Sequence, residues 1–197
     1  ALQKPSFLLY HLAASMTGGG MSKAFVLAAW VVLAVALPGT PRAERAPAKP
    51  AEDTVLRAAD IQPKLFPETV FFRGQSAPVQ MRNTGGVHFS DDAYVLAGMV
   101  DNSGYSTGIR EKYQAYLLSE VTLEIGGQTL KAGAYGAGFI EGGKFVVMDL
   151  GANDVLQASS ARDAQMKRPV PLQVVAAGGA RYRLYMGRDF VEFGRTR

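Results

Sequence analysis

The sequence predicts an all-β domain, an antiparallel meander with a barrel-like or sandwich form and at most one or two short helices. The run 121–125 alternates apolar and polar residues, which is the period of a strand with one buried face. The pairs Gly126-Gly127 and Gly142-Gly143 are hairpin signals between such runs. No helical run of crossover length separates the strand-like runs, which argues against a parallel α/β sheet.

The first 67 residues are predicted to lie outside this domain. Residues 21–43 read as a secretory signal peptide: a short basic start, an apolar run too short to span a bilayer, and a breaker-rich end. Residues 1–20 are predicted to be a non-native upstream extension. Residues 44–67, rich in Ala, Pro and charge, are predicted to be a flexible linker, with 54–59 able to form one helical turn. We therefore expect a bacterial periplasmic or secreted protein without a transmembrane span after signal cleavage.

Charge and cysteine content narrow the class of protein further. The chain has 197 residues, a formal charge of +4 and no Cys. Three of its 21 Lys and Arg residues precede residue 44, which leaves 18 basic against 17 acidic groups in the remainder. No basic stripe with interleaved aromatic residues is present, so nucleic acid is not expected as a partner. Without disulfides, the domain must be stabilised by its hydrophobic core.

The domain is predicted to span residues 68–194, and its first half contains clear strand signals. The segment 93–100 is apolar on both faces, which predicts a central strand. The polar loop 101–108 follows, and 109–113 favours one helical turn. The other strand-like runs of this half are 70–74, 77–83 and 87–89.

The second half continues the meander from 116 to 150 and then leaves one element open. A turn at 151–154 is followed either by a short helix capped by Asn153 or Asp154 and extending to Asp163, or by a strand over 155–159. Strands are predicted at 170–177, 181–186 and 190–193. In the second of these, Tyr182, Leu184 and Met186 are expected to share one face.

One hairpin resembles a known pattern. The run 125–135, Ile-Gly-Gly-Gln-Thr-Leu-Lys-Ala-Gly-Ala-Tyr, is similar to the G-K-x-L-x-A-G-x-Y hairpin of secreted bacterial β-domain proteins of unknown function, with Gln128 in place of Lys. The resemblance implies an exported β-domain and adds no activity.

Residues with catalytic or metal-binding chemistry are sparse. His88 is the only His after the signal peptide, and it is interpreted as a structural residue in preference to a general base. The oxygen-rich turns at 101–103 and 149–154 do not match the spacing of a calcium loop. We therefore assign no catalytic residue, no metal ligand and no cofactor from the sequence.

The tyrosines and a glycine face suggest binding. Tyrosines are favoured at interfaces, and the loop 101–113 supplies polar groups beside them. The predicted ligand-binding residues are Asp101, Tyr105, Arg110, Tyr113 and Tyr135. Gly136 and Gly138, on one strand face with Ala134, leave room for a large neighbouring side chain or for a ligand.

Three functions remain open at this point. The first is a non-enzymatic binding module for a small ligand or a partner chain. The second is a periplasmic hydrolase or isomerase that uses His88 with a nearby carboxylate such as Asp91 or Asp101. The third is a structural protein of the cell envelope, in which an edge strand pairs with another envelope protein.

Overall fold

The computed structural model describes residues 52–61 and 64–196, and these form a sandwich of two antiparallel sheets. The predicted all-β class is confirmed, with one short helix. The barrel-like alternative is wrong, because the two sheets are not closed into a barrel. The predicted upstream extension, the signal peptide and the first part of the linker lie outside the described residues. Within the described ranges, no helix has the length and apolar character needed to cross a membrane.

The chain builds each sheet in blocks of consecutive strands and crosses between the two sheets three times. The first sheet has the order β1-β3-β4-β5-β8-β9-β10, with β2 also paired to β3. The second has the order β12-β13-β14-β6-β7, with β11 also paired to β14. The strands are β1 (Thr54–Arg57), β2 (Thr69–Phe72), β3 (Gln75–His88), β4 (Tyr94–Val100), β5 (Ala115–Ser119), β6 (Leu123–Ile125), β7 (Gln128–Leu130), β8 (Gly133–Ile140), β9 (Lys144–Met148), β10 (Asp154–Ser159), β11 (Ala161–Arg162), β12 (Gln173–Gly178), β13 (Arg181–Met186) and β14 (Asp189–Arg195); the helix is α1 (Thr107–Lys112).

The hairpin signals are confirmed in detail. Ile125 pairs with Gln128, and Gly126 and Gly127 adopt φ values of 55° and 81° between them. Such positive φ values are accessible to Gly without strain and suit the twist of the flanking strands. The predicted central strand is also confirmed, since β4 lies between β3 and β5 and is buried on both faces.

Between the sheets lies the larger of two hydrophobic cores, which we call the inter-sheet core. Every second residue of a strand points into it, as the alternation predicts. Tyr182, Leu184 and Met186 share the inner face of β13, as expected. The first sheet contributes Val87, Val95, Ala97, Ala115, Leu117, Ala137, Phe145, Val147, Leu156 and Ala158, and the second also contributes Leu123, Ile125, Leu130, Val174, Val191 and Phe193.

A second hydrophobic core, the outer core, covers the opposite face of the first sheet. The β2–β3 hairpin and the segment before it supply Phe66 and Phe72, both fully buried. Tyr105 and Tyr113, which flank α1, complete the layer. Burying a large side chain such as Phe stabilises a fold by about 2–3 kcal/mol, so this small layer adds substantially to stability.

The predicted linker is wrong over its described strand. Thr54–Arg57 forms β1 and pairs with β3, from Thr54↔His88 to Arg57↔Gly85, so the predicted helical turn there is also wrong. The domain thus begins before residue 68. The Asp53 carboxylate accepts hydrogen bonds from Ser90 N at 3.0 Å and from the Tyr182 hydroxyl at 2.9 Å. The four residues of β1 are too few for their alternation to be recognised within a charged, Pro-rich segment. Pairing with β3 is what makes them a strand.

The element left open after residue 153 is a strand. β10 pairs with β9 over Leu156↔Val147 to Ser159↔Lys144 and buries Leu156 and Ala158. The alternating burial favours the strand, because a helix at this position would turn those side chains away from the sheet.

The two open sides of the sandwich differ. On one side, β10 approaches β7: Gln128 Nε2 donates to Gln157 O at 2.5 Å, and a Cβ on Gly126 would lie 2.7 Å from Ala158 Cβ. On the other side, β1 and β12 are the edge strands, and an open groove lies between them.

Candidate functional site

The structure does not gather the five predicted ligand-binding residues into one site. Asp101 is exposed, and its Oδ1 accepts a hydrogen bond from Ser103 N at 3.0 Å. Hydrogen bonds from Ser103 lower the pKa of Asp101. Arg110 is exposed on α1, and its side chain has no ion-pair partner among the described residues. Asp101 therefore shapes its own loop.

Tyr105 and Tyr113 do come together, but as members of the outer core. Their ring centroids are 5.3 Å apart, and Tyr113 stacks on Phe72 at 4.0 Å. The Tyr105 hydroxyl lies 3.0 Å from both Phe72 O and Gln75 O, and these two carbonyls share its single proton. Tyr113 is fully buried, and burial raises the pKa of its hydroxyl, which has no partner in the described part of the chain.

Tyr135 lies on the other face of the first sheet. It packs against the inter-sheet core, and its hydroxyl donates to Lys131 O at 3.0 Å. The room on the glycine face of β8 is filled by protein. A Cβ on Gly136 would lie 2.5 Å from Phe72 Cε2, and a Cβ on Gly138 would lie 2.3 Å from Lys112 O.

His88 has a carboxylate partner, but not one of the two that were predicted. Its Nε2 lies 2.7 Å from Asp92 Oδ1, and its ring stacks on Tyr94 with centroids 4.1 Å apart. Asp91 instead accepts a hydrogen bond from Arg195 at 2.6 Å. Asp92 adopts a φ of 74° in the β3–β4 turn, so the His88–Asp92 contact joins the turn to the end of β3. This geometry suits a structural role.

The oxygen-rich turn at 149–154 is organised by its own side chains. Asp149 Oδ1 accepts hydrogen bonds from Gly151 N and Asn153 N, each at 2.9 Å. Hydrogen bonds from Asn153 are the main cause of the lowered pKa of Asp149. Over the described ranges, no group of three or more His, Asp or Glu side chains is placed to hold a metal ion.

The groove between β1 and β12, which we call the edge groove, has a volume of about 520 Å³. That lies within the range of ordinary binding clefts, although this groove is open along its length. A Cβ on Gly85 would lie only 3.0 Å from Val174 N, so β12 packs directly on β3 at the floor of the groove. The lining residues are Val55, Leu56, Arg57, Ala58, Arg82, Thr84, Val170, Leu172, Gln173, Val174, Val175 and Ala176.

Two arginines make this groove positive. Neither Arg57 nor Arg82 has an ion-pair partner in the described part of the chain, and both are exposed. Arg82 is carried there by an irregularity of β3, whose pairing with β4 jumps from Val79↔Val100 to Thr84↔Gly98. Bulges of this kind redirect side chains and are common beside functional sites. Arg82 also lines the neighbouring depression formed by Glu68 and residues 79–83.

The β12 edge lacks the usual protection of an edge strand. Its sequence, Gln-Val-Val-Ala-Ala-Gly, contains no charge and no Pro, and its last four residues are exposed. Val170 and Val175 are each 41% exposed at the groove. Edge strands normally carry charges or Pro because their unpaired backbone N–H and C=O groups invite another strand. The only irregularity lies at its end, between Ala176 and Gly178.

Sequence reasoning missed the edge groove. The sequence predicted a strand at 170–177, which overlaps the observed β12, but not the position of this strand at an edge. That position depends on pairing with β13 alone, which no local pattern specifies.

Comparison with known proteins supplies no relative. No family model, no curated protein and no solved structure matches this chain.

Proposed function

We propose that this chain is an exported, periplasmic or secreted binding module that holds an extended, acidic segment of a partner protein in the edge groove. The observation that carries the proposal is the uncharged β12 edge facing β1 across a groove with two arginines that form no ion pair with any described residue. The export part of the proposal is supported by the leader-like pattern of residues 21–43.

The chemistry of binding follows from strand addition. An extended segment pairs its backbone with the free N–H and C=O groups of an edge strand, and side chains at alternate positions provide specificity. Acidic side chains of the segment would meet Arg57 and Arg82, whose planar guanidinium groups bind carboxylates in a bidentate manner. Apolar side chains would cover Val170 and Val175.

The test uses a display library of random linear peptides selected against the full chain. We expect the selected peptides to combine Asp or Glu with β-branched residues. Val175→Glu should weaken their binding at least tenfold, because it places a negative charge at the groove. This variant should fold, since residue 175 lies directly opposite Arg183 on the neighbouring strand.

A matched control separates the groove from exposed valines in general. Val155 is 48% exposed on the other edge strand, β10, away from the groove. Val155→Glu should therefore leave peptide binding unchanged. The double variant Arg57→Glu/Arg82→Glu should abolish binding, whereas Arg110→Glu should not. Retained binding in Val175→Glu would overturn the proposal. If instead the chain self-associates and Val175→Glu abolishes this, the occupant of the groove is a second copy of the chain and not an acidic partner.

A further inference from the structure

The β2–β3 turn has an unusual residue at its first central position. Phe72 pairs with Gln75, so Arg73 and Gly74 alone form the turn, with φ values of 48° and 75°. Two-residue hairpin turns with positive φ at both positions strongly prefer Asn, Asp or Gly at the first. An Arg there adopts a conformation that its Cβ disfavours. Strain of this kind in a well-fixed turn points to a role for the side chain.

The surrounding structure fixes Arg73 in place. Its backbone N–H donates to Leu150 O at 2.8 Å. The Tyr105 hydroxyl contacts Phe72 O and Gln75 O, the two residues that flank the turn. The turn is therefore fastened from both sides.

Arg73 borders a depression of about 280 Å³, which we call the turn depression. Its other lining residues are Gln75, Tyr105, Ser106 and Ile109. It is separate from the edge groove, with which it shares no lining residue. Among the described residues, no acidic side chain lines it.

Three polar side chains at the turn depression have no partner in the described part of the chain. Arg73 forms no ion pair, the Ser106 hydroxyl does not cap the helix that follows it, and the Gln75 amide makes no hydrogen bond. The guanidinium, the hydroxyl and the amide are all donors, and the half-buried Ile109 supplies apolar surface beside them, with a small exposed edge of Tyr105.

We propose that the turn depression binds a small monocarboxylate that carries an apolar group. A single guanidinium matches one carboxylate in charge and in planar geometry. The apolar group rests mainly on Ile109, beside the small exposed edge of Tyr105. This proposal is independent of the edge groove, and either can fail without the other.

The test is a calorimetric or NMR titration of the full chain with benzoate, with its neutral isostere benzamide and with inorganic phosphate. We expect saturable binding of benzoate, no binding of benzamide and weaker binding of phosphate. Arg73→Asn should weaken benzoate binding at least tenfold. It should not unfold the chain, because Asn suits the turn better than Arg does.

Arg110→Asn is the control: Arg110 lies on α1 and also forms no ion pair with a described residue, and its loss should leave benzoate binding unchanged. The thermal midpoint of Arg73→Asn should equal or exceed that of the parent chain, which confirms that lost binding is not lost folding. Three results would each overturn the proposal: no saturation at millimolar benzoate, equal binding of benzamide, or unchanged benzoate affinity in a folded Arg73→Asn chain. Tighter binding of phosphate than of benzoate would overturn the choice of a carboxylate.

Discussion

At the scale of single residues, the buried hydroxyl of Tyr113 lowers the stability that the outer core provides. Its side chain is fully buried, and its hydroxyl has no hydrogen-bond partner among the described residues. A buried hydroxyl without a partner loses its hydration and gains nothing in return, which costs about 1–3 kcal/mol. Its ring, stacked on Phe72 at 4.0 Å, supplies the stabilising contact.

Tyr113→Phe should therefore stabilise the fold. We expect the free energy of unfolding to rise by about 1 kcal/mol, because the ring stays and the unpaired hydroxyl is removed. Tyr105→Phe is the matched control and should lower it by about 1 kcal/mol, because the Tyr105 hydroxyl donates to backbone carbonyls. Urea unfolding of both variants measures the difference. A loss of stability in Tyr113→Phe would show that the hydroxyl has a partner, such as a buried water molecule.

At the scale of secondary structure elements, β8 depends on its glycines for the approach of α1. Gly138 faces the end of the helix, and Gly136 faces the stacked rings of Phe72 and Tyr113. The close contact at Gly138 is with a backbone oxygen, Lys112 O, which cannot rotate away. The absence of a side chain on this face of β8 therefore lets the outer core pack against the sheet.

Gly138→Ala should destabilise the domain. The added Cβ would lie 2.3 Å from Lys112 O, and relieving that overlap requires backbone movement costing about 3 kcal/mol. Gly108→Ala, inside α1, is the control: nothing lies within 4 Å of its Cβ position, and the change should stabilise by about 0.5–1 kcal/mol. Thermal unfolding of the two variants should show midpoints that move in opposite directions. A midpoint for Gly138→Ala equal to that of the parent chain would contradict the packing described for β8.

The sequence predicts elements well where the signal is local. Glycine pairs marked the hairpins, and alternation placed Tyr182, Leu184 and Met186 on one face. Alternation also places Tyr135 on the face of β8 opposite Gly136. Tyr135 is separated from Tyr105 and Tyr113 because a different layer covers each face of the sheet. That layer is built from distant segments, so the local pattern cannot specify it.

At the scale of the whole molecule, buried tyrosines make the fold sensitive to alkali. Burial raises the pKa of Tyr94, Tyr105, Tyr113, Tyr116, Tyr135 and Tyr182. For Tyr182, burial and the neighbouring Asp53 carboxylate raise the pKa to about 12. The folded state therefore keeps these hydroxyls protonated at a pH where the unfolded chain, with tyrosine pKa values near 10, has begun to ionise.

Stability should fall as the pH rises above about 10. The contribution of a group whose pKa is raised by folding is complete below its unfolded pKa and is lost as the pH rises through its folded value. For Tyr182 the window is about pH 10 to 12, and the loss is on the order of 3 kcal/mol. Urea unfolding between about pH 8 and pH 12 measures the slope, and Tyr182→Phe should make it shallower. A free energy of unfolding that stays constant across this range would contradict the expectation.

The candidate site could be predicted only in part. The polar loop and its tyrosines were visible in the sequence, and Tyr105 does line the turn depression. Arg73 also lines this depression, but it lies in the β2–β3 turn, and no sequence pattern places that turn beside the loop 101–108. The edge groove was invisible, because Arg57 and Val175 come from strands at opposite ends of the described chain. Sites assembled from distant segments require the topology, which local periodicity does not determine.

Asp53 connects the two layers through one carboxylate, in addition to the core between them. One oxygen receives a backbone N–H from the turn after β3, and the other receives a phenol from β13. Because this residue immediately precedes β1, any proteolytic maturation upstream of it leaves the connection between the layers intact. A cut only a few residues further along would remove the connection together with the strand that forms one wall of the groove. The length of chain retained before β1 thus decides whether both the connection and this wall of the groove are present.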